Sequence, residues 1–287
     1  MVTTRMSTPA DIPAQRELWK NSFVGEDRFL ANFFDNYYRP ERVYVLEEDG
    51  AVRSMTTWFD TTFVVPGRGE FRAAYIYAVA THPDCRGRGF AARLMADMDE
   101  AFKKMSIPAV TVVPSEPSLH NYYARSGFRE CFVLEQRQAP LGPAPAGAPP
   151  KLEGITPEDY GNLREALLAG APHIRYNRDA LAFQAGCSAI APGGGLYALE
   201  TPHGAVILCA EGSGGDRLIL KELLGGEQAR AWALDWLPAL LPAWSGEYRV
   251  PAREGQPTQW GMLKWLDPEA EKTWDWSSTG YLGLAFD

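Results

Sequence analysis

The sequence predicts an α/β protein of the α+β, mixed-sheet kind, built as two tandem domains that each set a mostly antiparallel sheet against flanking helices. Three observations carry this. The chain has 287 residues, 46% of them hydrophobic, more than one ordinary core requires. APLGPAPAGAPPK at 139–151 is nearly all Pro, Ala and Gly, a composition that neither packs a core nor supports a ladder, so it marks a linker. The order strands, helix, strands that precedes the linker recurs after it. The domains are therefore set at residues 1–138 and 152–287.

Each element has its own signal. TPADI from Thr8 offers an N-cap, a proline at the first helical position and an acid in the first turn; helical patterning then fills residues 9–23 and 26–37. Alternation from Arg42 gives a strand that turns at Asp49 and Gly50. Residues 52–65 and 71–80, rich in β-branched and aromatic side chains, are strands joined by PGRG at 66–69. A helix follows with Ala91, Leu94, Met95, Met98 and Phe102 along one face. Residues 109–113 form a strand, 119–125 a short helix stopped by Gly127, and 128–136 a last strand. The second half opens with TPEDY from Thr156, a repeat of the first start. It continues as a helix at 157–168, strands at 195–200, 205–211 and 217–224, a helix at 227–241, and strands near 247–250 and 260–266.

Bulk properties exclude several function classes. Formal net charge is −8, against a nucleic-acid partner, which needs a basic field. Residues 1–150 hold 17 Lys and Arg against 18 Asp and Glu, and residues 151–287 hold 11 against 18, so the halves contribute −1 and −7. That balance favours cationic substrates and a soluble acidic surface. Four scattered cysteines without a C-x-x-C pair predict reduced thiols and no metal. No long apolar run or secretory leader is present, so the expectation is a cytoplasmic protein that is not a membrane partner. A homo-oligomer is compatible with all of this.

THPDCRGRGFAARLM at 81–95 places two Arg-Gly pairs between a strand and a helix. The first N–H groups of a helix lack partners and carry the positive end of its dipole, so a glycine-rich turn there suits a diphosphate. Gly87 and Gly89 permit positive φ and remove obstructing Cβ atoms, while Arg86 and Arg88 can add charge-assisted bonds. The P-loop pattern G-x-x-x-x-G-K-[ST] is absent, and GRGFAA does not follow the first strand of a βαβ unit, against a dinucleotide fingerprint. What the spacing Arg86-x-x-Gly89-x-Ala91 resembles is the R-x-x-G-x-G/A signature of the GNAT superfamily of acyl-CoA-dependent N-acyltransferases. YARSGF from Tyr123 to Phe128 resembles that family's Y-x-x-x-G-F element.

The resemblance implies two tandem GNAT-like domains and acetyl-CoA (coenzyme A) as cofactor. It implies a pantetheine arm paired with the main chain of Val79, Ala80 and Thr81, and a diphosphate held by Arg86, Gly87, Arg88, Gly89, Phe90, Ala91 and Ala92. A closer similarity, to the enhanced-intracellular-survival (Eis-like) type, implies that Ser115 and Glu116 also touch the cofactor. It further implies a second, degenerate GNAT-like domain, in which Leu223, Leu224, Gly225 and Gly226 replace the phosphate loop without its arginine. In that type the terminal carboxylate enters the first active site, which makes Asp287 a candidate base.

Acyl transfer needs a neutral amine, donors for an oxyanion and an acid for the leaving thiolate. Tyr123 is the candidate acid, and Tyr122 is structural. Residues 72–82 contain no carboxylate to act as base. His82 and His120 are nearby but read as a turn cap and a satisfied surface residue. The base is left between Asp287 and waters relaying the proton to solvent. Phe33, Phe34, Tyr37, Tyr38, Trp58 and Asp60 are candidates to wall the acceptor, a small-molecule or peptide amine of cationic character, although most of these aromatics read as ordinary core residues. The expected activity is N-acetyl transfer by direct attack in a ternary complex; the alternative is a non-catalytic acyl-CoA-binding sensor or scaffold.

Overall fold

The computed structural model describes residues 1–23, 27–252 and 257–286. In chain order the elements are β1 (Val2–Met6), α1 (Ile12–Ser22), α2 (Asp27–Asn32), β2 (Val43–Glu48), β3 (Ala51–Val65), β4 (Gly69–Thr81), α3 (Phe90–Lys104), β5 (Ala109–Val112), α4 (Pro117–Ala124) and β6 (Arg129–Gln138). They continue with β7 (Glu153–Gly154), α5 (Pro157–Leu167), β8 (His173–Tyr176), α6 (Arg178–Ser188), β9 (Gly195–Thr201), β10 (Gly204–Gly212), β11 (Leu218–Leu224), α7 (Glu227–Leu240), β12 (Trp244–Pro251), β13 (Thr258–Trp265) and α8 (Pro268–Glu271). The chain gathers into two compact units, Met1–Cys131 with Gly261–Ser278, and Phe132–Trp260 with Thr279–Asp287.

In the first unit the strands lie in the order β1-β2-β3-β4-β5-β13. All neighbours are antiparallel except β4 and β5, which run parallel from Ala73↔Ala109 to Ile76↔Val112. A parallel neighbour needs a crossover, and α3 supplies it. Leu94, Met95, Met98 and Phe102 recur at helical spacing and are buried against Trp58, Ile76, Val110 and Val112. Phe90 is buried with them, whereas Ala91, expected on that face, is only half-buried. On the opposite face α1 packs on β3 and β4. There Trp19 lies 4.8 Å from Phe33 and 5.6 Å from Tyr77 between ring centres.

The second unit repeats the plan with strands in the order β7-β9-β10-β11-β12-β6, parallel only between β11 and β12. Val206, Leu208 and Ala210 of β10 join Ala229, Ala233 and Leu237 of α7 in one core. Period-two alternation sends Cys209 and Glu211 to the other face, where they meet Ser188 and Gln184 of α6.

Besides the short β7, β8 and α8, three features depart from the sequence reading. β1 is a strand that the short MVTTRM gave no reason to expect, and it pairs along its length with β2. α6 is a further helix; Ala180, Leu181, Phe183, Gln184, Cys187 and Ser188 are buried, so it has no polar stripe to betray a period. The helix expected at 26–37 is α2 followed by a wide turn at Phe33–Tyr37, with residue 26 outside the described residues.

Candidate active site

β4 parts from β5 before it ends. Pairing with β5 stops at Ile76, while β4 continues to Thr81. A bulge lies just past that point: Met55 faces Ala80 and Thr57 faces Tyr77, so one residue of β3 spans two of β4, and Ala78 takes φ 52°. The strand beyond the bulge is bent away and its outer edge has no β5 partner. The Ala80 carbonyl is turned to β3, where it accepts the Ser54 hydroxyl at 2.7 Å. Main-chain groups alternate along a strand, so those of Val79 and Thr81 face the open edge. The Thr81 carbonyl accepts Arg86 Nε at 3.3 Å.

The edge runs into the glycine turn. A short 3-10 turn at Pro83–Cys85 is capped by His82, whose Nδ1 accepts the Asp84 N–H at 3.3 Å. Gly87 and Gly89 then adopt φ 75° and 76°, and a Cβ built on either meets nothing within 4 Å. Both glycines are required by backbone conformation, and both border open space. Gly89 caps α3 with no side-chain bond, and the first intrahelical bond is Arg93 N–H to Gly89 O at 3.0 Å. The helix therefore leaves the amides of Phe90, Ala91 and Ala92 for an outside acceptor. Arg86 Nη2 donates to the Asn21 carbonyl at 3.0 Å, and Arg88 is held by Glu48. A diphosphate suits this turn: open left-handed glycines, unused amides and two cations at its rim.

Across the fork, α4 presents Tyr123. Its side chain is buried with Ile76, Cys85, Phe90 and Val112, and its ring stands edge-on to Phe128 at 5.7 Å. Burial, and secondarily the neighbouring Tyr122 phenol, push the Tyr123 hydroxyl up to about 12. It is a proton donor at neutral pH. Ser115 and Glu116 are exposed on the turn between β5 and α4, and the Glu116 carboxylate accepts the Ser118 hydroxyl at 2.6 Å.

Residues 3–131 match the family described as Acetyltransferase (GNAT) domain. This part of the chain is a GNAT acetyltransferase domain. The fold of the whole is similar to that of Eis1 from Mycobacterium abscessus, at 15% identity and a TM-score of 0.65 over 94% of this chain and 75% of that one. It is also similar to a GCN5-related N-acetyltransferase from Kribbella flavida, at 16% and 0.67 over 94% and 72%. A probable N-acyltransferase from Enterococcus faecalis V583 gives 11% and 0.67 over 94% and 74%. At such identities the likeness is one of fold. No curated protein matches the sequence.

Within the GNAT domain a cavity of about 580 Å³ opens between α1 and α2, lined by Arg16, Glu17, Lys20, Asn21, Asp27, Leu30 and Ala31. Sequence reasoning did not find it, because α1 reads as an ordinary amphipathic helix whose charged side faces water. Its link to the turn is through space: Asn21 accepts Arg86, and Glu17 Oε1 lies 4.0 Å from His82 Nε2. The expected aromatic wall is assembled only in part: Phe34, half-buried, stacks on Tyr38 at 5.2 Å and meets Phe33 edge-on at 5.2 Å, without Trp58 or Asp60. Phe33 and Tyr37 are core residues, each 1% exposed. Trp58 points to the α3 side, 5.0 Å from the Phe102 ring, because alternation on β3 puts Phe59, not Trp58, beside Tyr37. Asp60 pairs with Arg42 at 2.8 Å. His120 Nδ1 lies 2.7 Å from Glu130 Oε1. Among the described residues no group of His, Cys, Asp and Glu could hold a metal, and no helix is long and apolar enough to cross a membrane.

The second unit has the same strand-turn-helix at β11 and α7; Gly226 borders open space there, but Gly225 is crowded and the turn carries no arginine. A Cβ on Gly225 would lie 3.0 Å from both the Ala205 carbonyl and Val206 Cγ2, and Leu223 and Leu224 are buried. The chain's last described stretch packs in this unit. Arg164 Nη2 donates to the Leu282 carbonyl at 3.0 Å, and Phe286 lies 5.5 Å from Tyr176 and 5.6 Å from Phe183 between ring centres. Asp287, the candidate base, lies outside the described residues.

Proposed function

We propose that the protein is an acetyl-CoA-dependent N-acetyltransferase acting on a cationic amine, small-molecule or peptide, in the cytoplasm. The observation that carries the reading is the fork between β4 and β5 opening onto a turn whose glycines are left-handed, unobstructed and followed by unused helix amides. Val79 and Thr81 would pair with the pantetheine arm. Arg86 and the main chain of Gly87, Arg88, Gly89, Phe90, Ala91 and Ala92 would hold the diphosphate, with Ser115 and Glu116 flanking the arm. Acetyl-CoA, when bound, supplies the acetyl group as a thioester. Tyr123 Oη, protonated at neutral pH, gives its proton to the departing sulfur as the amine attacks directly in a ternary complex. Proton removal from the amine falls to the Asp287 side chain or to waters leading to solvent.

The test is calorimetric titration with coenzyme A, followed by thiol release across small amines, aminoglycosides and peptide N-termini. Coenzyme A uptake with thiol release for a cationic amine is expected, and no uptake overturns the reading. A second reading, an acyl-CoA-binding sensor without catalysis, is favoured by one observation. His82 Nδ1 and His120 Nδ1 already have partners, Asp84 and Glu130. Uptake without release over the whole panel would select it.

A further inference from the structure

Arg88 stands between the two left-handed glycines, the least constrained place in the turn, yet its side chain is fixed from three directions. Nη1 donates to Glu48 Oε2 at 2.9 Å and Nη2 to Glu48 Oε1. The guanidinium lies 4.4 Å over the Phe90 ring, and Nη1 is 3.7 Å from Cys85 Sγ. Glu48 ends β2, a strand paired on one side with β1 and on the other with β3, and its side chain is 20% exposed. The carboxylate is therefore a fixed point. Arg86 ties the start of the turn to Asn21 and Thr81, but beyond it Gly87 and Gly89 border empty space, and glycine retains more backbone freedom than any other residue.

We infer that Glu48 is a positioning residue for the cofactor: by gripping Arg88 it keeps the amides of the turn aimed at the phosphate seat, and Arg88 serves as a strut rather than as a phosphate ligand. This rests on reading the turn as that seat. Two effects oppose each other in it. The Glu48 charge would repel a diphosphate, but at contact distance Arg88 neutralises it. A released Arg88 would make one exposed phosphate contact, which is weak in water, whereas a released turn must be ordered again over several backbone torsions each time the cofactor binds. Ordering is the larger effect, so loss of Glu48 weakens binding.

Coenzyme A titrations of the full chain as wild type, Glu48→Ala, Arg88→Ala and the double variant test this. Each single variant should raise Kd about fivefold, with the double variant no worse than either, as for two residues acting as one unit. The dependence of Kd on salt should be the same in the wild type and the double variant, which carry the same net charge at this place. Without cofactor, backbone NMR order parameters over residues 87–91 should fall in Glu48→Ala, with Tm unchanged. Tighter binding by Glu48→Ala, a double variant markedly weaker than either single one, or unaltered order parameters in the turn would each overturn the inference. Uptake by the wild type with an unchanged Glu48→Ala removes this inference only. No uptake by the wild type removes the seat, and the inference with it.

Discussion

Tyr123 has the heaviest chemical role in the proposed reaction, and its environment suits that role. The ring is 6% exposed, so ionisation is disfavoured and the phenol stays neutral well beyond neutral pH. Replacing Tyr123 by Phe removes only the hydroxyl. Turnover should fall about 100-fold while coenzyme A affinity stays within about twofold, the signature of a lost general acid; steady-state kinetics with parallel calorimetry would check it. Asp11 gives a pH prediction. Arg5 donates two hydrogen bonds to it and holds its pKa at about 2, down from 3.8. A depressed carboxylate stabilises the fold above its unfolded value, and that contribution is lost as pH falls toward the folded one. Asp11→Asn should therefore cost about 2 kcal/mol at neutral pH. The Tm gap to wild type should close between pH 4 and pH 2, within the interval from 3.8 to about 2. The glycines of the turn were legible in the sequence because their backbone requirement is local. Glu48 and Asn21 were not, since they reach the turn across 40 and 65 positions.

At the scale of elements, α3 was legible because one side is buried and the other wet, which writes a 3.6-residue period into the chain. Leu94 is 0% exposed at the centre of that stripe; Leu94→Ala should cost about 2–5 kcal/mol by the cavity it leaves, read as a shifted urea midpoint. The bulge at Ala78 left no trace, since no glycine marks it and only the partner strand reveals the extra residue. α5 misleads in another way. Arg164 looks like a solvent-facing residue of an acidic helix, yet it is 1% exposed and donates to Glu222 Oε2 at 3.1 Å, the Ile174 carbonyl at 2.6 Å and the Leu282 carbonyl at 3.0 Å. Gly283 allows the tail to pass at φ 73°, where a Cβ would strike Glu222 and the Tyr281 ring. Removing one member of a buried pair strands the other, so Arg164→Ala should lose about 3–5 kcal/mol, measurable by chemical denaturation.

For the whole molecule, the class of fold and its duplication could be read from the recurring order of elements, and the two units do share one plan with a single parallel step in each. What the sequence could not convey is how the chain is threaded. Residues 261–278 belong to the first unit although they follow nearly all of the second, and a strand pattern near residue 262 says nothing of which edge it will choose. Hydrogen bonding chooses it: Met262, Leu263, Lys264 and Trp265 face Val112, Thr111, Val110 and Ala109, and the Lys264 ammonium reaches Asp99 on α3. Anyone dissecting the protein should heed that pairing. Ending expression at the proline-rich stretch would strip β5 of its neighbour and bare a row of backbone donors and acceptors to other chains, so the severed amino-terminal piece should precipitate, and supplying residues 258–278 through a circular permutation should restore it to solution.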